Sequence, residues 1–124
     1  MGIEQLNGRR IVKVTGCEPG SDQVSIYCAD GSEWSMYHSQ DCCESVDIVD
    51  VVGDVDDLCG LVIDAREESR DAQQDEIDND SGLWTFYIVQ TDRGAVTLRW
   101  LGTSNGYYSE RVDFECLTTA RATA

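Results

Sequence analysis

Residues 83–101 read Leu83-Trp84-Thr85-Phe86-Tyr87-Ile88-Val89-Gln90-Thr91-Asp92-Arg93-Gly94-Ala95-Val96-Thr97-Leu98-Arg99-Trp100-Leu101. Two runs of β-branched and aromatic residues flank a polar, glycine-ended break, which is the pattern of a β-hairpin. Toward the N-terminus the pattern repeats. Val24-Ser25-Ile26-Tyr27-Cys28 alternates with period two, Asp30-Gly31 supplies a tight turn, and Trp34-Ser35-Met36-Tyr37 resumes the alternation. Ile11-Val12-Lys13-Val14 lies between Gly8 and Gly16 and reads as a strand. Val46-Asp47-Ile48 and Asp50-Val51-Val52 form one more, with an irregularity near Val49. Leu61-Val62-Ile63 is a further strand.

Other segments break this pattern. Residues 53–60 are bracketed by glycines and open with Asp54, a good N-cap, so they suit one short helical turn. Residues 64–81 contain almost no apolar side chains. With nothing to bury, they read as a mobile acidic loop, at most a solvated helix in which Glu67 and Arg70 pair. Asn105-Gly106 opens a third turn, and residues 107–114 make the closing strand. The expected fold is mainly β (or α+β): a single antiparallel-sheet domain over 1–124 with one or two short helices. Its core runs over about 8–116, the acidic loop over 64–81, and a frayed tail over 118–124.

A length of 124 residues allows one domain and hardly more. Apolar residues at 41% and charged residues at 27% are ordinary globular usage and argue against a disordered chain. The charge balance is not ordinary. Nine Lys+Arg face 24 Asp+Glu, a formal net charge of −15. Residues 41–80 hold fifteen of the acids against two bases, Arg66 and Arg70. Phosphates and anionic lipid repel such a chain, which excludes direct nucleic-acid or membrane-surface binding. No apolar run reaches the length of a membrane span, and the first residues lack the basic and apolar regions of a secretion signal. A soluble, intracellular protein is expected. Its six cysteines, two of them adjacent, then read as free thiols packed like small apolar residues.

Three motifs bear on chemistry. Tyr37-His38-Ser39-Gln40-Asp41-Cys42-Cys43-Glu44 is the densest cluster of capable side chains. A zinc module centred on His38, Cys42 and Cys43 is one reading, but a closed zinc site needs a second knuckle of paired ligands and none follows. A polar corner held by local hydrogen bonds is the simpler account. Asp54, Asp56 and Asp57 fail the spacing of an EF-hand loop and instead fit the first turn of a helix. Residues 102–110 combine glycines, hydroxyls, Asn105, Tyr107 and Tyr108, which suits either a ligand loop or a hairpin whose tyrosines pack on the sheet. No phosphate loop, dinucleotide fingerprint or nucleophile elbow is present, so no catalytic residue and no cofactor is assigned.

Two blocks of the chain resemble a small domain of unknown function common in proteins encoded by bacteriophages. The first block is Tyr37-His38, Asp41-Cys42-Cys43-Glu44-Ser45-Val46, Asp50, Gly53-Asp54, Asp56-Asp57-Leu58 and Gly60. The second is Trp84-Thr85-Phe86-Tyr87, Val96-Thr97-Leu98-Arg99-Trp100, Gly102, Ser104 through Glu110, and Val112-Asp113-Phe114. The resemblance covers most of 8–116, with 64–81 as its variable part, and brings no established activity. It implies a phage origin and action in the cytoplasm of an infected bacterial host.

Two classes of function follow. The first is a non-catalytic inhibitor that binds a host protein, such as a nucleic-acid-binding defence component, through an acidic surface that mimics nucleic acid. Asp54, Asp56, Asp57, Glu67, Glu68, Asp71, Asp75 and Glu76 would form that surface. The second is a pocket that sequesters a small nucleotide immune signal, lined by His38, Asp41, Arg99, Trp100, Asn105, Tyr107 and Tyr108, with Trp34 or Arg111 assisting. Neither reading fixes the oligomeric state.

Overall fold

A computed structural model describes residues 2–38, 44–77, 81–105 and 110–117. Eight antiparallel strands form two four-stranded sheets. The strands are β1 (Ile11–Thr15), β2 (Gln23–Cys28), β3 (Glu33–Tyr37), β4 (Ser45–Val52), β5 (Val62–Asp71), β6 (Ser81–Thr91), β7 (Gly94–Ser104) and β8 (Asp113–Cys116). One sheet has the order β1-β2-β3-β8 and the other β4-β7-β6-β5. Helical structure among the described residues is confined to three short 3-10 turns, Ile3–Leu6, Val55–Leu58 and Gln74–Glu76. None of them is long and apolar enough to cross a membrane.

The sheets face each other across one core because each strand turns one side inward. In β2 and β3 the inward residues are Val24, Ile26, Trp34 and Met36. In β6 and β7 they are Tyr87, Val89, Val96, Leu98 and Trp100. β8 joins the first sheet beside β3, with Phe114 opposite Met36. Its ring stacks on Trp34 at 5.4 Å and meets Tyr87 of the other sheet at 6.3 Å. At the opposite edge the two sheets are stitched by an Arg10–Leu61 bridge. The amide of Gly8 donates to Val62 there, and the amide of Val62 donates to Arg9. The core also reaches toward the N-terminus beyond Gly8, since Ile3 and Leu6 are fully buried.

Several local readings agree with these elements. The turn between β2 and β3 places Gly31 at φ 88°, a conformation that favours glycine, while Asp30 accepts from the Ser32 amide. The register of β4 slips between Ile48 and Asp50, placing the irregularity at Val49. Asp54 caps the Val55–Leu58 turn by accepting from the Asp56 amide at 3.0 Å. The turn at residues 106–109, the tail at 118–124 and residues 78–80 of the acidic stretch lie outside the described residues.

The acidic stretch corrects the sequence reading. Residues 64–71 are not a loop but the continuation of β5, paired with β6 from Asp64–Gln90 to Asp71–Leu83. The main-chain groups on one side of the strand pair with β6, and this ladder holds the strand in place without apolar side chains of its own beyond Ala65. β5 ends its sheet, and charged side chains along an open edge discourage stray pairing. The Gln74–Glu76 turn that follows is closed by a capping box between Gln73 and Glu76.

Native-state hydrogen exchange checks the correction. Amides of 64–71 that face β6 should exchange slowly and those on the open edge fast, in alternation. Uniformly fast exchange would restore the loop.

Candidate functional site

The eight acidic residues do not form one contiguous surface. Asp54, Asp56 and Asp57 lie at the β6–β7 turn, where Asp57 packs against Gly94 and its carbonyl accepts from the Thr91 hydroxyl. The others lie farther along β5 and in the turn after it. Glu67 is opposite Tyr87, four residues from Thr91, and Asp71 is opposite Leu83, eight residues away. At ~3.3 Å per residue those steps are about 13 and 26 Å.

The two faces of β5 also differ in charge. Asp64, Arg66, Glu68 and Arg70 point outward, and this face neutralises itself. Arg66 binds Asp64 at 3.2 Å and Glu68 at 3.1 Å. Arg70 donates twice to Glu76, each at 3.2 Å. It also lies over the Trp84 ring, whose Nε1 donates to Glu76 at 3.3 Å. The hydrogen bonds from Arg70, joined by those from the Gln73 amide and the Trp84 indole, bring the Glu76 carboxyl down to about 2. Glu76 is therefore a fastening of the β5–β6 corner rather than a loose surface charge.

The inward side of β5 has a different character. Glu67 and Asp71 point there and form no ion pair among the described residues. Glu67 opens onto a cleft of about 490 Å³ that Tyr37, Arg111, Asp113 and Glu115 also line. Three carboxylates thus converge with one guanidinium. Two phenols report their field. Tyr37 is raised by desolvation and then by Glu115 and Asp113. Tyr87, deeper and donating to the Val112 carbonyl at 3.3 Å, is raised far more, by burial first and then by Glu67. Both phenols stay protonated donors beneath a ring of acceptors. Such a cleft suits a cationic group.

Among the described residues, those expected to line a nucleotide pocket are not brought together. Arg99 and Trp100 are neighbours in β7 and so face opposite ways. Arg99 lies on the outer face over Trp84 at 5.1 Å and Phe86 at 5.9 Å, and it pairs with Asp50 at 3.4 Å. Trp100 is fully buried in the core. Trp34 is buried too, its Nε1 donating to Ser32. Asn105 is exposed at the end of β7, and Asp41, Tyr107 and Tyr108 lie outside the described residues.

His38 has a role that the sequence did not disclose. Its Nδ1 is 2.7 Å from the Arg111 carbonyl and its Nε2 is 2.8 Å from Glu44 Oε2, with the side chains 5% and 1% exposed. A carbonyl and an ionised carboxylate both accept, so the ring donates from both nitrogens as imidazolium. Burial opposes that charge, but the bonds to Glu44 and to the Arg111 carbonyl prevail, aided by the charges of Glu44 and Asp113. The His38 pKa is raised above its ordinary value. Asp22 and Asp47 complete the carboxylates around this corner, which lines a second cleft of about 410 Å³. With both nitrogens engaged, His38 offers no lone pair to a metal. Cys42 and Cys43 lie outside the described residues, and no cluster of three metal-ligating side chains occurs among the described ones. Cys17, Cys28 and Cys59 are free thiols.

Two outcomes are expected. His38→Ala removes the cation from a buried pair and should cost about 3–5 kcal/mol near pH 6, read from urea melts. The folded-state pKa lies above 6.5, so this advantage of the wild type is full below pH 6.5. It is lost as pH rises through the folded-state value, and a pH-independent difference would refute the charged pair. Glu76→Gln should lower the melting temperature at pH 7, because a depressed carboxyl stabilises above its unfolded value near 4.5. That difference should vanish as pH falls through about 2.

No curated protein and no solved structure matches this chain. A family pattern does match, over residues 4–114, and so takes in β1 to β7 and the first two residues of β8. The chain belongs to the family described as domain of unknown function DUF7448.

Proposed function

We propose that this chain is a non-catalytic, bacteriophage-encoded protein that counters a host defence system by binding a basic host protein. The observation that carries the proposal is the charge segregation around β5. Its outer face holds its arginines in ion pairs, whereas Glu67, Asp71, Asp113 and Glu115 form no ion pair among the described residues. Three of these four border the 490 Å³ cleft. Unpaired carboxylates on a chain of net charge −15 speed encounter with a cationic partner and compete with nucleic acid for it. The phage origin and the host cytoplasm as the place of action rest on the sequence resemblance. Sequestration of a small nucleotide is the weaker reading, because among the described residues Trp34 and Trp100 are buried in the core while Arg99 lies on the outer face of the sheet.

Expression in a bacterium carrying defined defence systems is the test. The wild type should disable one of them. The variant Glu67→Gln, Asp71→Asn, Asp113→Asn, Glu115→Gln should not, while keeping its melting temperature within a few degrees, since exposed carboxylates outside ion pairs contribute little stability and the amides still accept from Tyr87 and Tyr37. Capture of the target by the wild type should weaken steeply between 50 and 500 mM salt. A fully active quadruple variant would refute the proposal.

A further inference from the structure

We infer that the partner is bound by strand addition: an extended basic segment pairs with the open edge of β5. This rests on the reading of an acidic, partner-binding surface and specifies how that surface is used. β5 ends its sheet, and beyond Val62 no main-chain group on its open edge has a backbone partner among the described residues. The edge is also accessible, since every residue from Arg66 to Asp71 is exposed. An extended edge of this length offers a row of donors and acceptors at strand spacing, the arrangement by which sheets take up peptides.

The side chains select the occupant. An added strand would lie about 4.8 Å from β5, with alternate side chains on the inward face beside Glu67, Ser69 and Asp71. Glu67 and Asp71 form no ion pair among the described residues, and Glu67 leads into the cleft bordered by Asp113 and Glu115. Lysine or arginine at alternate positions would meet these carboxylates. On the outward face Arg66 and Arg70 already hold carboxylate partners, so that side of the added strand needs no charge. A second copy of β5 would set like charges opposite one another and is disfavoured. The other three sheet edges are less suited, β1 being only five residues long and bridged to the start of β5 through Arg10 and Leu61. β4 has its Ile48 main chain occupied by Gly20 and Ser21, and β8 is four residues long.

The test compares two synthetic probes binding to the intact protein. One is a short peptide alternating lysine with threonine, and the other is an oligomer of N-substituted glycines carrying the same amines but no amide hydrogens. The peptide should bind at least about tenfold tighter than the oligomer. It should slow exchange of the open-edge amides in 64–71 and weaken by about tenfold against Glu67→Gln, Asp71→Asn. Equal, salt-sensitive binding of both probes overturns strand addition while leaving the charge-based function standing. Binding of neither overturns both.

Discussion

The β6–β7 hairpin imposes its geometry on everything around it. Its two eleven-residue strands pair without a slip from Ser81–Ser104 to Thr91–Gly94. An unbroken register fixes the facing of every side chain it contains. Tyr87, Val89, Val96, Leu98 and Trp100 must all point into the core, while Trp84, Phe86 and Arg99 must all point out. β4 and β5 then add to its two sides and inherit that division. The hidden Tyr87 hydroxyl, the outer arginine–aromatic stack and the inward placement of Glu67 are consequences of one register. A single-residue slip would exchange the two faces and place Arg99 in the core.

Much of this was legible in the sequence because apolar alternation reports a half-buried strand directly. Val24 to Tyr37, Leu83 to Leu101 and the irregularity at Val49 all carried that signal. The signal failed in β5 for a definite reason. Residues 66–71 are exposed on both faces, so their strand geometry is dictated by backbone pairing with β6, which leaves no hydrophobic trace. The pocket expectation met a different obstacle at Arg99 and Trp100. It grouped Arg99 with Trp100 by adjacency, although adjacency within a strand separates side chains. The His38–Glu44 pair and the meeting of Glu67 with Asp113 and Glu115 join residues from separate strands and connections, which a local pattern does not reveal. The one available hint was a lone histidine placed among carboxylates.

Charge in this protein has three physical roles that composition merges into one number. Pairs such as Arg66 with Asp64 and Glu68 are exposed, and pairs of that kind contribute at most about 1 kcal/mol, so they shape the surface more than they stabilise it. The His38–Glu44 pair is buried and binds the segment before β8 to the end of β3 and the start of β4. Glu67 and Asp71 of β5, with Asp113 and Glu115 of β8, take part in no ion pair among the described residues, and they carry the proposal of a partner surface.

The hydrogen bond from His38 to the Arg111 carbonyl closes a loop of 73 residues, and β8 cannot take its place beside β3 until that loop has formed. Non-local closure of this kind makes all-β chains fold slowly, on a scale of about milliseconds to seconds. The β6–β7 hairpin, whose contacts are local, can assemble early and wait for its partners. During that interval β3 lacks β8, and the edges of both sheets are open to other chains. Carboxylates along β5 are present from the moment the strand forms. They keep a half-folded molecule from joining its neighbours before the last strand is in place.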